Sequence, residues 1–173
     1  ELSAKGELLG GATSSWAVMD LKQKKPTPVA ETLSDDYTVA RRVIEDRFEP
    51  LPKLERTDRE VGLRVMHRDL DINGHVNHTV YVQWAHEALP AELAGGWRPM
   101  ELEIGYRAEA FHGDEVVSRI QTLERSETEA SFVHQIVNAR TGVELTRLRT
   151  VWRPGRQLRR SERRSAPEVA AAN

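Results

Sequence analysis

The sequence predicts an α+β fold: a short strand, one amphipathic helix, then a run of strands joined by turns. Three observations predict it. Val76, Val80 and Trp84 recur every four residues, and Tyr81, Ala85 and Ala88 widen the same stripe, which marks a helix with one apolar face. Downstream, Glu101–Ala110 and Ala130–Ala139 alternate in the two-residue period of strands. Gly113-Asp114 and Thr141-Gly142 punctuate that region as turns.

The elements follow in order. Residues 1–20 read as a β-hairpin, with Lys5-Gly6 as the turn and Glu7–Asp20 as one long strand. Residues 21–58 read as a connector. Its Lys- and Pro-rich beginning precedes a short helix starting at Ser34, with Val39, Val43 and Ile44 on one face, and Pro50 and Pro52 stop it. From Arg59 a compact domain is expected to Arg153. It comprises a strand at Gly62–Met66, the helix at 76–89, and strands at 101–110, 115–125, 130–139 and 143–152. Phe132, His134, Ile136 and Asn138 share one strand face, and Val133, Gln135 and Val137 the other. Residues 154–173 are Arg-, Ser- and Ala-rich without an apolar period, as expected of a disordered basic tail. An internal echo links the two ends: Gly6 precedes Trp16 by the interval at which Gly142 precedes Trp152. Residues 1–20 therefore read as the last hairpin of an earlier, incomplete copy of the main domain.

Composition narrows the function classes. Of 173 residues, 30% are charged and 39% hydrophobic, which fits a water-facing globular protein. No apolar run approaches the length of a membrane span, and a cytoplasmic location is expected. The net charge of −2 argues against a nucleic-acid binder. Cysteine is absent, so thiolate nucleophiles and thiolate metal sites are excluded. Asp69-x-Asp71-x-Asn73-Gly74 imitates the opening of an EF-hand loop, but Val80 stands where the closing bidentate Glu belongs. His75 and His78 have no well-spaced third ligand, and no Gly-x-Ser-x-Gly elbow occurs. No metal or cofactor is expected.

What remains is the carboxylate, amide and imidazole of Asp71, Asn73 and His75, two residues apart at a helix start. In an extended approach they share one side of the chain. Gly74 lets a ligand come near the backbone, and the Gly74 or His75 N–H could meet a carbonyl oxygen. The same residues also suit a well-capped helix start with an Asx turn.

The segment Asp69–His78, with Tyr81 and Trp84 after it, resembles the hot-dog thioesterases, and most closely the fatty acyl-ACP thioesterases of plants and bacteria. That family carries an Asp-x-Asn-x-His-x-Asn run entering its central helix. It also carries a Tyr-Arg-x-Glu strand motif, matched by Tyr106–Glu109, and a close similar to Thr150–Pro154. The resemblance implies a hot-dog fold, in which an antiparallel sheet wraps the helix. It also implies a catalytic set of Asp71, Asn73, His75 and Glu109, with Gly74, Tyr81 and Trp84 contacting the substrate or its oxyanion. In the plant enzymes a cysteine follows the glutamate; Ala110 stands there, so attack by water is implied, with either Asp71 or Glu109 as the base. The implied substrate is a fatty acyl chain on acyl-carrier protein, with an acyl-CoA thioesterase or a non-catalytic acyl-binding module as the alternatives. A homodimer is a further expectation, and Lys22, Lys24 and Lys25 or the tail could steer an acidic carrier.

Overall fold

The computed structural model describes residues 2–14, 17–20, 22–23, 25–29, 32–34, 43–44 and 49–155. The chain divides into two compact units, Glu1–Glu49 and Pro50–Asn173. In the first, β1 (Leu2–Ala4) pairs with β2 (Glu7–Gly10) through the Lys5-Gly6 turn, and both turn residues have positive φ. The expected long strand does not form. β3 (Val18–Asp20) instead pairs with β4 (Lys25–Thr27) in a separate two-stranded sheet. Two consecutive glycines, Gly10 and Gly11, stand where the strand ends, and glycine weakens a strand interior. The loop into β4 is closed by Asp20 Oδ1, which accepts from Lys22 and Gln23 N–H. Trp16 and most of the expected helix after Ser34 lie outside the described residues.

The second unit is a five-stranded antiparallel sheet around one helix. Its strands are β5 (Arg59–Arg64), β6 (Trp97–Tyr106), β7 (Glu115–Arg125), β8 (Ala130–Asn138) and β9 (Glu144–Pro154), in the order β5-β7-β8-β9-β6. The helix α1 (His78–Glu87) lies on one sheet face. Val76, Val80, Tyr81, Trp84 and Ala85 pack there with Val116, Ile136 and Leu148. A second cluster, including Ala88, Leu89, Phe132 and Trp152, continues the core past the helix end. Arg59 donates to the Leu89 carbonyl there, and Pro90 opens a short α2 (Ala91–Ala94) between the expected helix and the next strand. The opposite sheet face is covered by residues 51–56: Arg147 donates to the Leu51 carbonyl, and Gln121 accepts from Glu55 and Arg56 N–H. This explains why both faces of β8 are buried, and why the unit begins at Pro50 ahead of Arg59.

Two boundaries differ from expectation for local reasons. The helix begins at His78 rather than Val76, because Val76 is held extended in a bridge to Leu70. Asn77 is the cap and accepts from Thr79 N–H at 3.0 Å. β6 starts ahead of Pro99, with a register shift between Pro99 and Glu101. Proline is tolerated because β6 is an edge strand. Phe132 is fully buried; Phe132→Ala is expected to cost roughly 3–5 kcal/mol, read as a lower urea midpoint with an unchanged slope.

Candidate active site

The polar segment before α1 forms a pinned loop. A 3-10 turn at His67–Asp69 leads in, with Asp69 Oδ2 accepting from Met66 N–H at 2.8 Å. Asn77 N–H donates to the Asp69 carbonyl and Asp71 N–H to the His75 carbonyl, both at 2.8 Å, which closes the loop base. At the tip, Gly74 N–H donates to the Asp71 carbonyl at 3.0 Å, and Asp71 Oδ1 accepts from Asn73 N–H at 2.8 Å. Asp at the first position and Gly at the fourth are the residues such a turn selects, and Gly74 uses its freedom at φ 78°. The Asx-turn reading is thus realised in part, since one Asp71 oxygen is engaged locally. The Asn73 side chain has no partner among the described residues.

Glu109 arrives from β6. Beyond Tyr106 the chain leaves the ladder, with Arg107 and Ala108 N–H both directed at the Leu145 carbonyl. Val76 N–H then donates to the Ala110 carbonyl at 3.0 Å, and His75 bridges to Phe111. That pairing sets Glu109 Oε1 3.2 Å from His75 Nδ1. The imidazole is about one-third exposed and the carboxylate mostly exposed. Glu109 and His75 therefore meet, beside the turn that carries Asp71 and Asn73.

The expected substrate contacts divide differently. Tyr81 and Trp84 are buried, 3% and 6% exposed, and their rings meet edge to face at 5.2 Å inside the core. The stripe that made them conspicuous is the face turned to the sheet. Burial raises the Tyr81 hydroxyl above its ordinary pKa; a hydrogen bond from the Ala110 backbone opposes this, and the Glu109 carboxylate adds to the rise. Of the two proposed oxyanion donors, Gly74 N–H is already given to Asp71. His75 N–H has no acceptor among the described residues.

Next to this cluster a cavity of about 910 Å³ runs between α1 and β6, β8 and β9. His78 and Tyr106 stand at its near end, where the Tyr106 hydroxyl donates to the His78 carbonyl at 3.1 Å. Leu89 and Trp152 lie toward the other end. Asp71, Asn73, His75 and Glu109 are not among its lining residues. Its inner wall holds a buried polar chain that the sequence reading treated as ordinary. Trp152 Nε1–H donates to Thr150 Oγ1 at 3.0 Å, and that hydroxyl meets His134 Nε2 at 2.9 Å. Strand alternation already put His134 on the Phe132 face, the one signal that could have flagged it.

Residues 53–154 match the model of the acyl-ACP thioesterase C-terminal domain. The chain belongs to the acyl-ACP thioesterase family. It is 28% identical over 180 residues to the chloroplastic oleoyl-acyl carrier protein thioesterase 2 of Arabidopsis thaliana, covering 87% of this chain and 49% of that one. With the palmitoyl-acyl carrier protein thioesterase of Cuphea hookeriana it shares 31% over 158 residues, covering 86% of this chain and 38% of that one. The solved 12:0-ACP thioesterase from Umbellularia californica is similar with a TM-score of 0.63 at 25% identity, over 79% of this chain and 52% of that one. A 1,4-dihydroxy-2-naphthoyl-CoA thioesterase from Synechocystis shares the fold, with a TM-score of 0.50 at 20% identity, over 55% of this chain and 80% of that one. These neighbours and the strand order establish the hot-dog fold. This acyl-ACP thioesterase family member spans about half or less of the length of its plant relatives. Among the described residues no helix is long and apolar enough to cross a membrane.

His134 gives the domain a pH signature. Burial, with a smaller contribution from the charge of His86, lowers its pKa to about 4. Unfolding returns it to the ordinary histidine value near 6.5. Its folded value is the lower one, so the unfolded chain takes up more protons between the two. The stability it contributes is full above about pH 6.5 and is lost as pH falls toward 4. Urea unfolding at pH 7 and pH 5 is expected to show a smaller acid loss for His134→Gln than for the wild type.

Proposed function

We propose that this chain hydrolyses fatty acyl thioesters carried by acyl-carrier protein, through a His75–Glu109 pair acting on water. The observation that carries the reading is the 3.2 Å approach of Glu109 Oε1 to His75 Nδ1 beside the Asp71–Gly74 turn. A carboxylate on Nδ1 selects the tautomer that leaves the Nε2 lone pair free. Nε2 takes a proton from water as the oxygen attacks the thioester carbonyl carbon. The carbonyl oxygen becomes an oxyanion, which on this reading the His75 N–H and the Asn73 amide receive. When the intermediate collapses the C–S bond breaks, and the imidazolium returns its proton to the thiolate. The products are a free fatty acid and the carrier thiol. Asp71 shapes the turn through Oδ1 and keeps Oδ2 for the incoming water. No acyl-enzyme on sulfur forms, because the chain has no cysteine and Ala110 follows Glu109.

Family membership and the adjacent apolar cavity support this substrate class, with the acyl chain entering past Tyr106. Exposed Lys22 and Lys25 are candidates for steering an acidic carrier. A cytoplasmic site of action is part of the proposal; the plant relatives are named as chloroplastic. We also infer a homodimer. β6 is an edge strand, and Met100, Leu102 and Tyr106 on it are about half exposed. An open edge with an apolar flank is a template for pairing with another strand. Residues 1–20 as the end of an earlier copy of the domain belong to the same reading.

Two measurements test it. Glu109→Gln and His75→Ala are each expected to lower acyl-ACP turnover about 100-fold or more, on the scale of a lost acid–base group, with melting unchanged. Wild-type rates for both would end the mechanism, and preferential turnover of acyl-CoA would replace the carrier. Light scattering is expected to give twice the chain mass for the wild type and the chain mass for Leu102→Lys; a wild-type monomer would remove the dimer.

A further inference from the structure

Phe111 is a large apolar side chain, 48% exposed, and it belongs to neither core cluster. Its turn is nevertheless tightly held. Phe111 N–H donates to Asp114 Oδ2 at 3.0 Å, and Asp114 N–H returns to the Phe111 carbonyl at 3.1 Å. Gly113 N–H, at φ 85°, donates to the Val65 carbonyl, and Val65 N–H to the Asp114 carbonyl. His112 stacks on His67 with ring centroids 3.7 Å apart and planes 16° apart, which ties the turn to the lead-in of the polar loop. A rigid turn thus presents a ring that packing does not require. That ring meets the His75 imidazole edge to face, centroids 5.2 Å apart and planes at 83°.

The imidazole needs such a contact. Rotation about the last histidine torsion is soft, and a single hydrogen bond at Nδ1 leaves the ring free to rock about it. A second, directional contact removes that freedom, because aromatic rings prefer perpendicular or offset arrangements. We propose that Phe111 is a positioning residue for His75: its ring and Glu109 together fix the plane in which Nε2 faces the water and the thioester. The proposal rests on the hydrolytic reading above. Leucine at this position fills similar space without the ring's directionality. Tyrosine keeps the ring.

The test compares Phe111→Leu, Phe111→Tyr and Glu109→Gln, by steady-state kinetics on an acyl-ACP and by NMR of the histidine ring protons. Phe111→Leu is expected to lower kcat about tenfold with little change in KM, the cost of a slightly misplaced base. Its melting should match the wild type, and the His75 ring protons should shift as the aromatic ring current disappears. Phe111→Tyr should restore both kcat and the shifts. Unmoved His75 shifts in Phe111→Leu overturn the proposal, as does a change confined to KM, which would make Phe111 a wall for substrate. Unchanged kcat in Phe111→Leu beside an inactive Glu109→Gln overturns the positioning role alone. Full activity in Glu109→Gln overturns the hydrolytic reading and with it any catalytic meaning of the contact.

Discussion

One backbone hydrogen bond governs the site: Val76 N–H to the Ala110 carbonyl. It joins the exit of the polar loop to the segment leaving β6. Because antiparallel pairing places neighbours face to face, it also pairs His75 with Phe111 and brings Glu109 within reach of the imidazole. No side chain has to search for its partner. The exposed carboxylate and the part-exposed ring gain little from their own attraction in water. The scaffold beneath them supplies the precision: Val76 and Ala110, joined by that hydrogen bond, are both buried.

That arrangement separates stability from chemistry. The apolar stripe of α1 is consumed by the sheet, and the polar loop ahead of it satisfies most of its backbone groups internally. The groups left over are those the proposed reaction would use: the Asn73 amide, the His75 N–H and the outer face of the imidazole. Loops held by a rigid framework are the usual place for such residues. Asn77 takes the capping duty, which releases Asp71 and Asn73 from it.

Periodicity made most of the second unit readable. β7 occupies the expected residues 115–125, and β8 at Ala130–Asn138 falls within the expected 130–139, with both of its faces buried. The failures have local causes. Val76 fits the helical stripe, yet a bridge to Leu70 holds it extended. The strand expected to start at Glu101 starts at Trp97, ahead of Pro99, because an edge position, where proline is tolerated, cannot be seen from a single sequence. The strand expected through Gly10-Gly11 breaks there, and a separate pair forms after it. In the site, Asp71, Asn73 and His75 stood out by their spacing. Glu109 did not, since its partnership depends on a pairing between segments far apart in the chain, and only family likeness pointed to it. Tyr81 and Trp84 are legible as members of the apolar face of the helix, and that face packs on the sheet.

The geometry also bears on which carboxylate assists the water. Asp71 Oδ1 is committed to Asn73 N–H, and the Asp71 backbone closes the turn at both its N–H and its carbonyl. Moving that side chain would disturb the loop on which His75 rides. Glu109 carries no such duty: its listener is the imidazole, and the buried Ala110 beside it anchors the main chain while the carboxylate remains mostly exposed. A group that must stabilise an imidazolium at one moment and release it at the next is better placed outside the turn than inside it. The hydrogen bonds favour the division proposed above, in which Asp71 organises the turn and Glu109 would orient the base.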